Sequence, residues 1–147
     1  MFDFPEGVSL YAQELYTGIK EAEKSVKVVS YVVYDNMFFD QLEGKLSTSD
    51  RLEVQLIIDK EGFSVVKRDV LSLKEKFPGR FMYKTYNFDN SSLHAKFIIF
   101  DDKKAIIGSH NITQNALFKN IELAVLIDDR EGIKVVSKIF NKIWGML

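Results

Sequence analysis

The sequence predicts a single α/β domain over residues 1–147, with helices on both faces of a mixed, mostly parallel β-sheet. Three observations predict this three-layer α/β/α class. Short strands rich in β-branched residues alternate with amphipathic helices in the first half of the chain. Two apolar strands joined by a polar turn follow in the second half. The length suits one domain, and no linker or internal repeat is visible.

The first half of the chain alternates between helical and strand patterns. Apolar residues between Val8 and Ala22 recur every three or four positions, which predicts a helix. The β-branched run from Val26 to Tyr34 predicts a buried strand. The same reasoning predicts a helix over 36–46 before an S-T-S-D loop, a strand over 52–59, a helix over 63–77 closed by Pro78-Gly79, and a strand over 80–86.

The second half of the chain begins with a hairpin signal. Ala95–Phe100 and Ala105–Ser109 are apolar strands on either side of the polar sequence D-D-K-K. A short helix over 114–118 and a last strand over 121–127 follow. The final predicted helix, 132–146, gathers apolar residues on one face: Val136, Ile139, Phe140 and Ile143.

Composition excludes several kinds of site. The chain has no cysteine, so it forms no disulfide, no thiolate zinc site and no cysteine nucleophile. A formal net charge of −1 gives no sign of nucleic-acid binding, although a local basic patch can act within a neutral protein. The start, M-F-D-F-P-E-G, lacks the basic and apolar stretches of a secretory signal, and no apolar run reaches the roughly 18 residues of a spanning helix. We therefore expect a cytoplasmic protein.

Polar residues interrupt the predicted hairpin at its open end. His94 and Lys96 are two positions apart, so in an extended strand they lie on the same face. Ser109 and Asn111 likewise share a face if their strand continues to Asn111. Glu122 begins the next predicted strand and is within reach of the group. Hairpin pairing would bring an imidazole, an ammonium, a hydroxyl and an amide together.

This set of groups suits displacement at a phosphodiester. Fixed donors such as Lys96, Ser109 and Asn111 stabilise the charge that builds on the phosphate oxygens. The neutral imidazole of His94 can attack phosphorus and form a covalent intermediate. A second group must then protonate the leaving alkoxide. A carboxylate such as Glu122 could hold the imidazole in the required tautomer.

Strand alternation assigns other polar residues a different role. Asp101 is five positions from Lys96 and therefore points to the opposite face, which favours a structural role in closing the hairpin turn. His110 faces away from Ser109 and Asn111, which favours a packed or solvated histidine. Asp35, Asp59 and Lys60 lie at predicted strand ends, where α/β folds bind ligands, and are second candidates for substrate contact.

The order of these residues resembles the signature of the phospholipase D superfamily. That signature is H-x-K-x4-D followed by G-S-x-N, and the chain matches it at His94, Lys96, Asp101, Gly108, Ser109 and Asn111. The N-x-E of Asn120 and Glu122 resembles the continuation of the motif. The resemblance implies a phospholipase D-like fold and a reaction that needs no metal or cofactor. It implies catalytic roles for His94, Lys96, Asn111 and Glu122, phosphate binding by Lys96, Ser109 and Asn111, and structural roles for Asp101 and Gly108.

The chain holds one copy of the motif, whereas many members of the superfamily carry two. His110 cannot begin a second copy, because Ile112 stands where the lysine belongs. The chain is similar to single-motif bacterial and archaeal members, which form homodimers with one site across the two-fold axis. The resemblance then implies that His94 attacks phosphorus while His94 of the partner subunit protonates the leaving group. Such a coupled pair predicts a bell-shaped pH–rate curve.

The resulting hypothesis is a metal-independent endonuclease that acts through a phosphohistidine. A phospholipid phosphodiesterase or transphosphatidylase is the alternative enzyme, and a non-cleaving nucleic-acid-binding module or a purely structural dimer are the alternatives without catalysis. A nuclease needs a basic groove beside His94, for which the candidates are Lys60, Lys84, Lys103, Lys104 and Lys119.

Simpler interpretations exist for each residue. His94 and Lys96 could form a solvated strand face, Ser109 and Asn111 could be turn residues, and Glu122 could pair with a surface cation. The aromatic run over 81–88 could stack bases but is also typical of strand core. The lysines of the last helix could meet a membrane surface but also suit the wet side of a packed helix.

Overall fold

A computed structural model of the chain describes residues 2–3 and 9–147. Fourteen elements follow one another, numbered by type in chain order: β1 (Phe2–Asp3), α1 (Leu10–Glu21), β2 (Ser25–Ser30), β3 (Val33–Tyr34), α2 (Asn36–Thr48), β4 (Glu53–Asp59), α3 (Lys60–Lys76), β5 (Phe81–Tyr86), β6 (Phe97–Phe100), β7 (Lys104–Gly108), β8 (Ile112–Thr113), α4 (Gln114–Phe118), β9 (Glu122–Ile127) and α5 (Arg130–Met146). None of the helices in the described ranges is long and apolar enough to cross a membrane. Val8, which the sequence places in the first helix, lies outside the described residues.

Seven strands form one mixed sheet in the order β1-β9-β7-β6-β2-β4-β5. The neighbours β2, β4 and β5 run parallel, whereas β6, β7, β9 and β1 join by antiparallel pairing. The short strands β3 and β8 pair in parallel as a separate two-stranded sheet. The mixed α/β architecture that the sequence predicts is therefore confirmed.

Helices pack against both faces of the large sheet, so the domain has three layers. On one face, α1, α2 and α3 pack Leu15, Phe38 and Val70 against buried strand residues. On the other face, α5 alone packs Ile133, Val136 and Phe140 against β2, β4, β6 and β7. Burial of one such side chain is worth about 1.5–3 kcal/mol, so the amphipathic face of α5 is enough to hold it on the sheet.

The predicted strand over 26–34 is wrong in one respect, because it divides into β2 and β3. The hydroxyl of Ser30 donates a hydrogen bond of 2.8 Å to the carbonyl of Val32, which turns the chain at Tyr31. The first turn of α3 then approaches this bend closely. A Cβ on Gly62 would lie 1.9 Å from the carbonyl oxygen of Tyr31, so only glycine fits there. Hydrophobicity alone does not reveal this break.

Several helix ends differ from the predicted ones because side chains satisfy the terminal backbone groups. The helix α2 continues through the predicted loop to Thr48, since the hydroxyls of Ser47 and Thr48 donate to carbonyls one turn earlier. The helix α3 begins at Lys60, because Asp59 caps its N-terminus. Asp129 caps α5 in the same way, so that helix begins at Arg130.

The hairpin strands are shorter than predicted at their open end. The strand β6 begins at Phe97, so His94 and Lys96 lie in the segment that leads into it. The strand β7 ends at Gly108, so Ser109 and Asn111 lie beyond it. The expectation that the partner strand runs on to Asn111 is therefore wrong.

Candidate active site

The segments that carry the predicted site residues meet at one edge of the large sheet. The parallel strands β2 and β4 end there at Ser30 and Asp59. The antiparallel strand β6 begins at the same edge, because Phe97 pairs with Val29. The end of β7 lies beside the start of β9, since Gly108 pairs with Ala124. This is the edge of an α/β sheet at which ligands bind.

His94 and Lys96 are neighbours, as their spacing predicts. The Nζ of Lys96 lies 3.2 Å from Nδ1 of His94 and donates a 2.8 Å hydrogen bond to the main-chain oxygen of the same residue. The imidazole is exposed, whereas Lys96 is only 8% exposed. An ammonium can only donate, so Nδ1 accepts in this geometry and Nε2 carries the ring proton.

The ammonium of Lys96 is the cation at the centre of the site. Burial lowers the pKa of Lys96, and the carboxylate of Glu122 acts in the opposite direction. Lys96 belongs to none of the ion pairs found among residues 9–147. Its charge therefore stands next to an exposed imidazole without a carboxylate in direct contact, which favours binding of an anion there.

Ser109 and Glu122 form a second pair beside the first. The hydroxyl of Ser109 donates to Oε2 of Glu122 and accepts a 3.2 Å hydrogen bond from the backbone N–H of Leu123. The other carboxylate oxygen of Glu122 accepts from Asn120 at 3.3 Å. In the described structure the hydrogen bonds of Glu122 go to these side chains and none goes to His94.

Gly108 makes the approach of these two strands possible. A Cβ at this position would lie 2.4 Å from the carbonyl oxygen of Leu123 and 2.6 Å from the Cβ of Ala124. The N–H of Gly108 also donates to the carbonyl of Lys96 at 3.2 Å. The glycine of the motif therefore brings Lys96, Ser109 and Glu122 to neighbouring strands without a steric clash.

Asn111 approaches the site from the small sheet. It precedes β8, which pairs with β3, and its Oδ1 lies 3.4 Å from the hydroxyl oxygen of Ser30. The Nδ2 group is the part of the side chain that can donate to a ligand. No hydrogen bond among the described residues joins Asn111 to His94 or Lys96.

Asp101 lies at the far end of the hairpin from His94. Its carboxylate accepts hydrogen bonds of 2.7–3.2 Å from the backbone N–H groups of Glu23, Lys24 and Ser25. Partial burial raises the pKa of Asp101, but these backbone hydrogen bonds outweigh it and hold the pKa below its usual value. The contacts join the β6–β7 turn to the loop between α1 and β2.

The second histidine is packed away from His94. His110 is 1% exposed, and its ring stacks on that of Tyr11 with centroids 3.9 Å apart and planes within 8°. Burial, with a smaller contribution from Glu122, raises the pKa of Tyr11. The chain has two histidines, so His94 is the exposed one.

Asp35 and Asp59 are buried, which argues against the predicted contact with substrate. Asp59 is 2% exposed and accepts a 2.9 Å hydrogen bond from the N–H of Leu93, the residue before His94. Asp35 accepts from the hydroxyl of Tyr16 at 2.6 Å and from Gln114 at 3.0 Å. Both are helix N-caps, and an aspartate just before a helical pattern is the signal that could have identified them.

The lysines proposed for a basic groove divide into three groups. Lys103 and Lys104 lie at the hairpin turn, far from His94, and Lys104 pairs with Glu14, so their assignment to the groove is wrong. Lys84 donates to the carbonyl of Trp144 at 2.8 Å and is part-buried. Lys60 and Lys119 are exposed and lie at the site edge of the sheet.

Tyr31 is a site residue that the sequence did not reveal. Its ring centroid lies 6.2 Å from that of His94, and its hydroxyl donates to Glu61, which raises the pKa of Tyr31. The β-branched run over 26–34 places Tyr31 inside a strand, whereas the bend after Ser30 brings it to the site. Across residues 2–3 and 9–147, no group of three or more His, Cys, Asp or Glu side chains is placed to hold a metal ion.

Comparisons with known proteins identify a family and similar folds. A family model described as "Cardiolipin synthase, PLD-like domain" matches residues 15–144. Cardiolipin synthase of Staphylococcus aureus (strain Mu50 / ATCC 700699) is 25% identical over 128 residues, which are 83% of this chain and 24% of that protein. The chain thus spans about a quarter of the length of the curated relatives it matches.

Two solved structures resemble the chain over nearly its whole length. NucT from Helicobacter pylori superimposes with a TM-score of 0.77 at 24% identity, covering 99% of this chain and 97% of that one. Nuc from Salmonella typhimurium, described as a phospholipase D family member, superimposes with a TM-score of 0.75 at 20% identity, covering 99% and 94%. At these identities the likeness concerns the fold.

Proposed function

The chain belongs to the PLD-like domain family, and from this membership and the pairing of His94 with Lys96 we propose that it is a phosphodiesterase. We propose more specifically that it is an endonuclease, which cleaves nucleic-acid phosphodiester bonds through a phosphohistidine. The observation that carries the proposal is an exposed imidazole held against a buried ammonium that belongs to none of the ion pairs among residues 9–147. A nucleophile beside a fixed positive charge is what phosphoryl transfer requires.

The reaction proceeds in two displacements. In the first, a deprotonated ring nitrogen of His94 forms a bond to phosphorus, and the bond between phosphorus and the leaving oxygen breaks. That oxygen takes a proton from a general acid. In the second, water attacks phosphorus, the phosphorus–nitrogen bond breaks, and the proton of the water passes to the group that acted as general acid in the first step. Lys96 and Asn111 donate to the non-bridging oxygens during both steps, and Ser109 does so when its hydroxyl turns from Glu122 to the phosphate.

The general acid comes from a second copy of the chain. His110 is buried against Tyr11, so one chain offers one exposed imidazole. In a two-fold dimer, His94 of the partner subunit supplies the second. A row of exposed apolar side chains beside Glu122 supports such an interface: Ile121, Leu123 and Val125 are 63%, 54% and 56% exposed. Apolar rows of this kind mark sites of protein association.

Exposed lysines at the site favour nucleic acid over lipid as the substrate. Lys60 and Lys119 lie exposed at the site edge, where they can contact a phosphate backbone. A phospholipid diester is the second candidate substrate, because the curated relatives are cardiolipin synthases.

The proposal is tested by incubating the protein with labelled single-stranded DNA, duplex DNA, RNA and phospholipid in excess EDTA. The expected result is nucleic-acid cleavage that persists in EDTA and is lost in the His94→Ala variant. Cleavage of phospholipid alone would replace the nuclease with the second candidate. If folded, dimeric protein binds nucleic acid but cleaves none of these diesters, the result favours a non-cleaving nucleic-acid-binding module.

A further inference from the structure

An apolar pocket opens directly beside His94. It has a volume of about 340 Å³ and lies between residues 92–95 and the last turns of α5. Its apolar walls are formed by Leu93, Ile143 and Met146, with Tyr86 at one side. None of the described lining residues is a lysine, arginine, aspartate or glutamate. The phosphate-binding groups described above therefore do not extend into this pocket.

The position of the pocket restricts its occupant to a group attached near the reacting phosphate. The same residue, His94, lines the pocket and carries the proposed nucleophile. A wall formed mostly by apolar side chains does not suit a second phosphate or a sugar, whose polar groups would lose hydrogen bonds to water. The occupant is thus an uncharged group with a large apolar surface.

From this geometry we infer that the pocket binds an unstacked nucleobase next to the scissile phosphate, an inference that rests on the proposed nuclease function. A base has an apolar face that aromatic side chains stack upon. Tyr86 meets Phe88 edge-to-face with centroids 5.0 Å apart, and Phe88 is 40% exposed, so an aromatic pair stands at this side of the pocket. The volume is at the small end of ligand pockets, which suits one ring system.

A base in this pocket has consequences for the substrate. A base in a duplex is stacked and paired, so it must leave its neighbours before it can enter. Single strands therefore bind better than duplexes of the same sequence. Tyr86 lines the pocket, and its hydroxyl lies 3.1 Å from that of Ser91, so one of these two hydroxyls keeps a proton that it can donate to the polar edge of the base.

The test uses two single-stranded oligonucleotides, one intact and one with stable abasic residues around the cleavage position. The wild-type protein should cleave the intact strand with a kcat/KM about 5- to 100-fold higher, the range that base stacking supplies. Met146→Trp, which fills the pocket, should remove most of the preference for the intact strand, so that the ratio of the two kcat/KM values approaches one. Leu71→Trp on α3, a partly exposed position outside the pocket, is the matched control.

Binding measurements separate this inference from the proposed function. Fluorescence anisotropy of the His94→Ala variant with the same strands should show weaker binding of the abasic strand, whether or not cleavage occurs. Equal affinity and equal cleavage of both strands would overturn the base pocket while leaving the nuclease intact. A Met146→Trp defect confined to phospholipid would overturn it in favour of an acyl chain. If neither strand is cleaved but the intact strand still binds more tightly than the abasic one, the proposed nuclease function is wrong and the inference of a base-binding pocket stands.

Discussion

Lys96 Nζ lies 3.2 Å from Nδ1 of His94 and 2.8 Å from the main-chain oxygen of the same residue. The ammonium and the imidazole that the proposed mechanism uses are therefore hydrogen-bonded to each other before substrate binds. While Lys96 donates to Nδ1, the ring proton is on Nε2, and that nitrogen cannot attack. We propose that a phosphate bound by the ammonium competes for this hydrogen bond and frees the imidazole to change its tautomer. Substrate binding and nucleophile activation would then be coupled through Lys96.

The first prediction concerns the charge of Lys96. Lys96→Met keeps much of the buried stem but removes the ammonium, so the phosphate oxygens lose a fixed donor. We expect kcat/KM to fall by about 100- to 1000-fold, the effect of removing one such donor. Steady-state kinetics measure it, with Lys103→Met at the distant hairpin turn as control. A Lys96→Met enzyme within a few fold of wild type would refute the role of this charge.

The second prediction concerns Asp59, which we propose positions the segment before His94. An amide at this position accepts through one oxygen only, so Asp59→Asn cannot keep both the Leu93 and the Glu61 hydrogen bonds. We expect kcat to fall by about 10- to 100-fold with a smaller change in KM, because the nucleophile is misplaced. Asp129→Asn is the matched control, since Asp129 caps α5 and asparagine is an equally good cap. Equal effects of both substitutions would mean that Asp59 only caps its helix.

The third prediction concerns the pH dependence contributed by Asp101. Its pKa is lower in the folded chain than in the unfolded one, so its contribution to stability is present above the unfolded value of about 4 and is lost as pH falls through the folded value. Asp101→Asn keeps the preference for the left-handed backbone at φ 54° but removes the charge.

We expect this variant to be destabilised by roughly 1–2 kcal/mol at pH 7, because three backbone N–H groups lose a charged acceptor. Denaturant unfolding at pH 7 and pH 3 measures the effect. The difference from wild type should shrink at the lower pH. A difference of the same size at both pH values would show that the charge of Asp101 is not what stabilises the turn.

The fourth prediction concerns the proposed dimer. Val125→Asp places a charge in the exposed apolar row of β9, so we expect monomers in sedimentation experiments and loss of cleavage, since the second imidazole is absent. Val65→Asp on α3 is the control, because Val65 is 55% exposed and Val125 is 56% exposed. A Val125→Asp protein that remains dimeric and active would place the interface elsewhere.

The sequence predicts the part of the site that depends on local spacing. His94 and Lys96 become neighbours even though the strand begins after them, because any extended segment places residues two apart on the same side. The same spacing rule does not predict the partners of Ser109 and Asn111. Both residues follow the end of β7, and the chain then brings Ser109 to Glu122 and Asn111 to Ser30, which are contacts between different segments.

The features that the sequence did not reveal depend on hydrogen bonds between distant segments. The end of β2 follows from one hydroxyl, that of Ser30, and not from any change in hydrophobicity. Its position at a strand end predicts that Asp59 contacts substrate, but its carboxylate is buried and accepts a hydrogen bond from the N–H of Leu93. The pocket beside His94 needs the last turn of α5 above residues 92–95, a contact that no periodicity encodes.

The stereochemical course at phosphorus tests the central claim, attack by His94, most directly. A single-stranded phosphorothioate substrate of known configuration is cleaved in isotopically labelled water, and the configuration of the product is determined. Two successive displacements, through His94 and then through water, each invert the centre, so the account predicts net retention. Net inversion would show that water attacks the diester directly, and His94 would then not be the nucleophile.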